Sequence, residues 1–296
     1  MKKIITLIFS WALLTGCQPP EKVELLATTS VLADAARQIL PESVEVTALM
    51  QSNIDPHSYK PVESDVAKLQ NAKIILHNGL HLEGKMTDIL EKMGQNKPVY
   101  AMSSSLRLPD LIETGANSYD PHIWFDLNLW ARCVEQLGGF LALQYPEHSN
   151  EIHERTVVYV NNLRQEHRRF TTLLMKVPDS LRAMVTAHDA FSYFGRAYEI
   201  EVRGLQGVST AAEFGVRDMR ATAEFILKRG LHTVFAETSV NPKSIEALQE
   251  AVAQKGGAVR IGLPLYSDAL GNEGTTEATL IGAFRYNALQ ILTSFE

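Results

Sequence analysis

The chain has 296 residues, 45% of them apolar and 21% charged, and a formal net charge of −6. That length suits two domains of ordinary size, and that composition suits a soluble globular protein. No basic stripe or Lys/Arg-rich run is present, which argues against a nucleic-acid partner; a mildly acidic surface is compatible with a cation ligand without requiring one.

Met1-Lys2-Lys3 opens a targeting segment, and Ile4 to Leu14 is an apolar run too short to span a bilayer. Leu14-Thr15-Gly16-Cys17 matches the lipobox of bacterial lipoproteins, so a signal peptide is expected over 1–16 and a lipidated Cys17 after it. The alternative is an ordinary secretory leader in which Cys17 is incidental. Residues 17–22 read as a tether, and lipid chains on Cys17 would anchor the mature protein to a membrane without a spanning helix. Without Lys2 and Lys3 the balance is 26 basic against 34 acidic residues, a net charge of −8. Cys133 is then the one cysteine left, which excludes an internal disulfide and reads as a buried, inert thiol.

From Val23 the pattern alternates. Strands are expected at 23–28, 44–50, 73–77 and 99–102, and helices at 31–39, 65–72 and 86–93. Thr29 or Ser30 is placed to cap the first helix and Ser64 the second. Strands alternating with helices imply parallel pairing in an α/β layer. Residues 103–121 read as a long polar loop, of the kind that is functional or mobile. Ligands in such sheets sit beyond the carboxyl ends of the strands, and two histidines fall there. His57 lies in Asp55-Pro56-His57 and His122 in Asp120-Pro121-His122. The repeated Asp-Pro-His stiffens the approach to each ring and points to metal ligation or another site role. This lobe is assigned to 23–145.

Pro146 and Pro178 bound a stretch without Gly or Pro. Ile152, Thr156, Tyr159, Val160, Leu163, His167, Phe170 and Leu174 recur at steps of three and four, one stripe of a helix roughly 40 Å long. Ser149 is the expected N-cap. Over 146–178 this reads either as a spine joining two lobes or as a long helix within one domain, and the flanking halves favour the spine.

Residues 179–296 repeat the alternation. Strands are expected at 183–186, 201–205, 233–236 and 258–262, with helices at 191–198, from Thr210 to about Arg229, at 242–254 and near 277–293. Thr210 and Glu213 have capping-box spacing, and Asn241-Pro242 reads as a helix start. His188, Glu237 and Asp268 fall at strand ends. Glu237 is expected to orient a ligating imidazole from behind, to complete the ligand set, or to cap a nearby helix. Three neutral imidazoles and one carboxylate suit a divalent first-row metal, and four protein ligands leave little room for water, which favours holding the ion over catalysis. His77, His81, His148, His153, His167 and His232 read as ordinary side chains. No HExxH, GxSxG, Walker A or CxxC pattern is present.

Seven ordered segments then match one family: DPHSYKP at 55–61, NGLHLE at 78–83, DPHIWFD at 120–126, AHDAFSYFGRAY at 187–198, GLQGVST at 204–210, AETSVNPKSI at 236–245 and LYSDALG at 265–271. The chain resembles the metal-binding solute receptors of ABC importers, the TroA/ZnuA/PsaA/MntC-like family, and is closest to its TroA-like members. The resemblance implies two α/β lobes, each with a mostly parallel four-stranded sheet flanked by helices, joined by one long helix. It implies one divalent ion per chain between the lobes, held at the positions matching His57, His122, His188 and Asp268. It also implies partners, a membrane permease and its ATPase. Two departures stand out: manganese receptors resembling PsaA usually have Glu where His188 stands, and the His-rich loop common in zinc receptors is missing from 103–121. The resulting reading is a monomeric, lipid-anchored receptor of the cell envelope for Zn²⁺ or Mn²⁺, with no enzymatic activity. The rivals are an Fe²⁺ receptor, a surface adhesin, and a metallohydrolase using His188, Asp189 and Glu237.

Overall fold

The computed structural model describes residues 23–115, 117–212 and 215–295. The expected leader over 1–16, Cys17, the tether over 17–22 and Glu213 lie outside the described residues. The first half builds β1 (Leu25–Ala27), α1 (Ser30–Ile39), β2 (Val46–Ala48), α2 (Glu63–Asn71), β3 (Ile74–His77), α3 (Thr87–Gly94) and β4 (Val99–Ala101). A small antiparallel hairpin follows, β5 (Glu113–Gly115) with β6 (Ser118–Tyr119), and then α4 (Leu127–Gln144) and α5 (Ser149–Leu174). The second half builds β7 (Ala183–His188), α6 (Ser192–Tyr198), β8 (Glu201–Gln206), α7 (Val216–Arg229), β9 (Thr233–Glu237), α8 (Lys243–Gln254), β10 (Arg260–Leu265) and α9 (Leu280–Ser294).

Each half carries one parallel four-stranded sheet, in the orders β2-β1-β3-β4 and β10-β9-β7-β8. Counted from its own first strand, the second sheet repeats the 2-1-3-4 connection of the first. Both sheets therefore reverse direction beside their first strand, and the crevice beyond the strand ends at that point is where α/β sheets bind ligands. The inner strands β1, β3, β7 and β9 are mostly apolar and buried, as parallel strands covered on both faces are, whereas the outer β8 and β10 carry Glu201, Arg203 and Arg260. Leu25 and Ala27 face one buried cluster and Leu26 another; Met184 and Val185 are divided in the same way.

Several helix starts differ from the sequence expectation. The start of α2 is held by Asp65, whose carboxylate accepts from Val62 N at 2.9 Å, and not by Ser64. A single 3-10 turn over Pro146–His148 leads into α5, so Ser149 is its first residue and makes no cap. The start of α7 is held by Asp218, which accepts from Gly215 N at 3.0 Å, while Thr210 is engaged elsewhere. The described residues of 103–121 include the hairpin and two 3-10 turns, the first beginning at Met102.

At about 1.5 Å per residue, the 26 residues of α5 span about 39 Å. Seven of the eight stripe positions are buried. The exception is His167, half-buried with Nδ1 3.1 Å from Tyr198 Oη; Glu166 takes the buried place because Arg285 of α9 pairs with it. The stripe does not bridge two separate cores. It belongs to one cluster that includes Trp124 and Trp130 from the first half and Phe191, Phe194 and Phe284 from the second. Contact with α4 is close: a Cβ at Gly138 would lie 2.4 Å from Thr156 Oγ1, so only glycine fits there.

Asp34 ties the two halves at the base of this core. Its carboxylate, on α1, accepts from Tyr159 Oη of α5 at 3.1 Å, from Leu280 N at the start of α9 at 3.0 Å, and from Gln38 at 3.1 Å. Burial pushes its pKa up against these donors. No helix among the described residues is long and apolar enough to cross a membrane.

The Phe170 ring lies 5.3, 4.8 and 5.7 Å from those of Phe194, Tyr198 and Phe284. Phe170→Ala is expected to cost about 3–5 kcal/mol in urea unfolding, whereas Val158→Ala, at a position 60% exposed, should stay within about 0.5 kcal/mol. Equal losses would mean that α5 is not packed along this stripe.

Candidate metal centre

The two Asp-Pro-His segments fold alike. Asp55 Oδ1 accepts from His57 N at 2.9 Å and Asp120 Oδ1 accepts from His122 N at 2.8 Å, so each Asp closes a tight turn that sets the histidine's backbone. The second jobs of the two carboxylates differ. Asp120 Oδ1 also lies 2.7 Å from His122 Nδ1, whereas Asp55 Oδ2 accepts from Ser58 Oγ at 2.8 Å and Thr210 Oγ1 at 2.6 Å.

His188 is the last residue of β7. Gly204 of the adjoining β8 lets the strands pass there, since a Cβ would lie 2.4 Å from Asp189 N. Glu237 ends β9 on the other side. Its Oε1 accepts from His188 N at 2.8 Å, and its Oε2 sits 2.6 Å from His188 Nδ1, off the straight line of the N–H. Of the roles expected for Glu237, the structure therefore shows it behind the imidazole. It is not among the convergent donors described below. Asp268 follows β10. Its loop is held by Trp124 Nε1 donating to Ser267 O at 3.1 Å and by Leu270 N donating to Ser30 Oγ at 2.9 Å.

The ligand atoms of His57, His122, His188 and Asp268 all lie within 4.8 Å of one another, and all four residues are buried. His122 Nε2 is 3.2 Å from His57 Nε2, 3.3 Å from His188 Nε2 and 3.2 Å from Asp268 Oδ1. His188 Nε2 is 3.4 Å from Asp268 Oδ2. A tetrahedral ion with bonds of about 2.0–2.1 Å has edges of about 3.3–3.4 Å between its ligands, and these four spacings are close to that length. Two further observations fit. The carboxylates behind His122 and His188 favour the proton on Nδ1, which leaves Nε2 as the donor. Asp268 Oδ1 is buried without a hydrogen-bond partner.

The same geometry sets the electrostatics. Burial pulls the His122 imidazolium down, but Asp120 and Asp268 outweigh it and raise the pKa to about 9. His188 is likewise penalised by burial and raised well above the ordinary value by Glu237 and Asp268. Burial pushes the Asp268 carboxyl up, but the facing His188 and His122 hold it well below the carboxylate range. His57 has no carboxylate against its ring, and burial lowers it to about 4.

Residues not singled out from sequence complete the frame. Glu83 Oε1 accepts from Thr28 Oγ1 and from Asn78 N at 2.8 Å, bridging the ends of β1 and β3 as Glu237 bridges β7 and β9. The chain turns back to place Glu83 through Gly79, Leu80 and His81, all left-handed. Asn78 Nδ2 donates to Pro121 O at 2.9 Å, and Tyr193 Oη donates to Asp120 O at 3.0 Å, so the approach to His122 is gripped from both halves. The doubled Asp-Pro-His was the available signal for Asp120; Asn78, Glu83 and Tyr193 act through loops that no local pattern joins. Asp189 accepts from Ser192 Oγ at 2.7 Å and stays outside the convergent group, as do the six histidines read as ordinary.

A family model described as the periplasmic component A of a zinc-uptake complex, ZnuA, matches residues 25–294. The chain belongs to the ZnuA family. Among curated ZnuA-like relatives, the manganese-binding lipoprotein MntA of Bacillus subtilis is 38% identical, over 95% of this chain and 94% of its own. The zinc-binding protein TroA of Treponema pallidum is 39% identical, over 89% of this chain and 85% of its own. A solved structure of the Treponema pallidum TroA superposes with a TM-score of 0.90 at 38% identity, covering 93% of this chain and 99% of that one. A model of the prokaryotic membrane lipoprotein lipid attachment site matches residues 1–18. This ZnuA-family member is thus a lipid-anchored protein of the cell envelope, facing away from the cytoplasm.

The shifted histidines predict how the chelated protein responds to pH. His122 and His188 have raised pKa values, so their contribution to stability is full below the ordinary value of about 6.5 and fades as pH climbs through the raised values, about 9 for His122. His57 has the opposite sign: its contribution is full above about 6.5 and fades as pH falls through about 4. From these rings, thermal unfolding in chelator should show a maximum near about pH 6–7 with losses on both sides. A midpoint that keeps rising to pH ~9 would contradict the pairing of the two rings with carboxylates.

Proposed function

We propose that this lipoprotein captures a divalent transition metal between its lobes and delivers it to the membrane permease of an ABC importer, driven by that importer's ATPase. The carrying observation is the convergence of His57, His122, His188 and Asp268 within 4.8 Å, with His122 Nε2 3.2–3.3 Å from each of the other three and two donors from each half of the chain. In this reading the four are the metal ligands, with Asp120 and Glu237 orienting His122 and His188. The lobes are 23–145 and 179–296, joined by the helical segment 146–178, and lipidated Cys17 with the tether over 17–22 keeps a monomeric receptor close to the permease.

The cargo is Zn²⁺ or Mn²⁺. Relatives of similar identity are named for each, MntA for manganese and TroA for zinc. Three imidazoles with one carboxylate suit both ions, and the order of intrinsic affinities leans toward zinc. Filling all four positions with side chains favours retention of the ion over activation of water. Elemental analysis of protein purified without chelator, followed by competition titration, decides between the two ions.

A ligand that binds only the folded state adds about 4 kcal/mol of stability at a thousandfold excess over Kd. Zinc or manganese should therefore raise the unfolding temperature of chelated protein, and an unchanged melt with both ions would refute the receptor reading. His188→Ala should abolish that rise, while exposed His153→Ala should leave it intact. Glu237→Gln should weaken metal binding by roughly 10–100-fold with all four donors still present. Wild-type affinity in the Glu237→Gln protein would show that the carboxylate does not tune the ring.

A further inference from the structure

The four donors are nearly sealed: His122 and His188 are 0% exposed, Asp268 1% and His57 5%. An ion therefore needs a way in, and the surroundings of His57 supply one. A cavity of about 420 Å³ lies where the two lobes meet, lined by Asp55, Ser58, Gln206, Thr210, Ser239 and Asn241. It adjoins the donors on two sides. Asp55 and Ser58 flank His57, and Ser239 Oγ donates to Asp268 Oδ2 at 3.4 Å. The lining offers carboxylate, amide and hydroxyl oxygens, the groups that replace water around a hard divalent cation. Gln206 Oε1 is buried there with no hydrogen-bond partner among the described residues. Lys243, also in the wall, is the opposing charge.

One inter-lobe hydrogen bond crosses at this cavity. Thr210 Oγ1, after β8, donates to Asp55 Oδ2 at 2.6 Å. Asp55 keeps its own turn closed without Thr210, through His57 N and Ser58 Oγ. The start of the same loop is fixed to the second lobe separately, by Ser52 Oγ donating to Gly271 O at 2.9 Å. Breaking the Thr210 contact would therefore free the far end of an intact turn. That turn carries His57, the one imidazole with no carboxylate bound to its ring. His122 and His188 are backed by Asp120 and Glu237 and cannot yield as readily.

We propose that the ion enters and leaves through this cavity, and that the Thr210–Asp55 hydrogen bond is the latch that sets the rate. Thr210 is a positioning residue: it touches no donor atom and acts through Asp55 on the His57 turn. This rests on the receptor reading above. Hydrogen bonds to a charged group are among the stronger ones, so loss of the latch should show in kinetics before it shows in the ligand set.

The test uses full-length protein loaded with Zn²⁺, Mn²⁺ or Co²⁺ and mixed with excess EDTA in a stopped-flow instrument. Thr210→Val should release metal about tenfold faster than wild type, equivalent to about 1.4 kcal/mol off the barrier. The Co²⁺ absorption spectrum should be unchanged, and Thr210→Ser, which keeps the hydroxyl, should release at the wild-type rate. Release by Thr210→Val within twofold of wild type would overturn the latch, as would an altered Co²⁺ spectrum, which would place Thr210 in shaping the ligand set. A wild type that takes up none of the three ions would overturn the receptor reading and the latch with it.

Discussion

The architecture depends on an arrangement that is costly by itself: three imidazole nitrogens and a carboxylate oxygen, out of water, all directed at one point. Buried polar atoms without partners destabilise a fold, and donors held a few ångströms apart relax away unless each is fixed from behind. A set of buried hydrogen bonds in this protein answers that requirement. Asp120 and Glu237 hold two of the rings, Trp124 and Ser30 hold the loop of the acid, and Asn78 with Tyr193 holds the turn before His122. A cation placed at the centre satisfies all four donors at once, which is why the frame and the cargo belong to one design.

The doubled sheet makes this possible with little invention. Each half uses the same strand connection and so presents a crevice at the same place, beyond the ends of its first and third strands. Glu83 bridges one crevice and Glu237 the other. Of the three convergent imidazoles, only His188 sits directly on a strand end. The first half supplies its rings from loops, which need the Asp-Pro-His turns to stay in place. The three imidazoles are accordingly unequal, two clamped by carboxylates and one held by its turn alone.

Much of this was readable in the sequence, for physical reasons. Apolar runs of strand length, separated by helix-length segments, showed both parallel sheets, because buried parallel strands need no alternation. The 3.6-residue stripe of α5 was visible because its buried face is continuous. It misplaced one position, since the pairing of Glu166 with Arg285 depends on a helix more than a hundred residues away. Helix starts were read less well. Ser64, Ser149 and Thr210 had the chemistry of caps, but acidic residues further along, a 3-10 turn and the other lobe took those roles. His57, His122, His188 and Asp268 stood out as chemistry at strand ends. Asp120 reads only as part of a repeated Asp-Pro-His, and it both closes a turn and carries a ring. The hairpin within 103–121 was missed because its strands are too short to show a period.

Asp34 has a consequence for how such a chain is made. Its carboxylate is buried against Leu280 N, Tyr159 and Gln38, so one of its donors belongs to α9. A polypeptide delivered from its N-terminus onward exposes α1 long before residue 280 exists. Until then the first lobe holds an acid with an unfilled bond beside an open apolar seam. A segment more than two hundred residues downstream therefore completes a bond of the first lobe, and a chain cut before α9 would leave the Asp34 carboxylate one donor short.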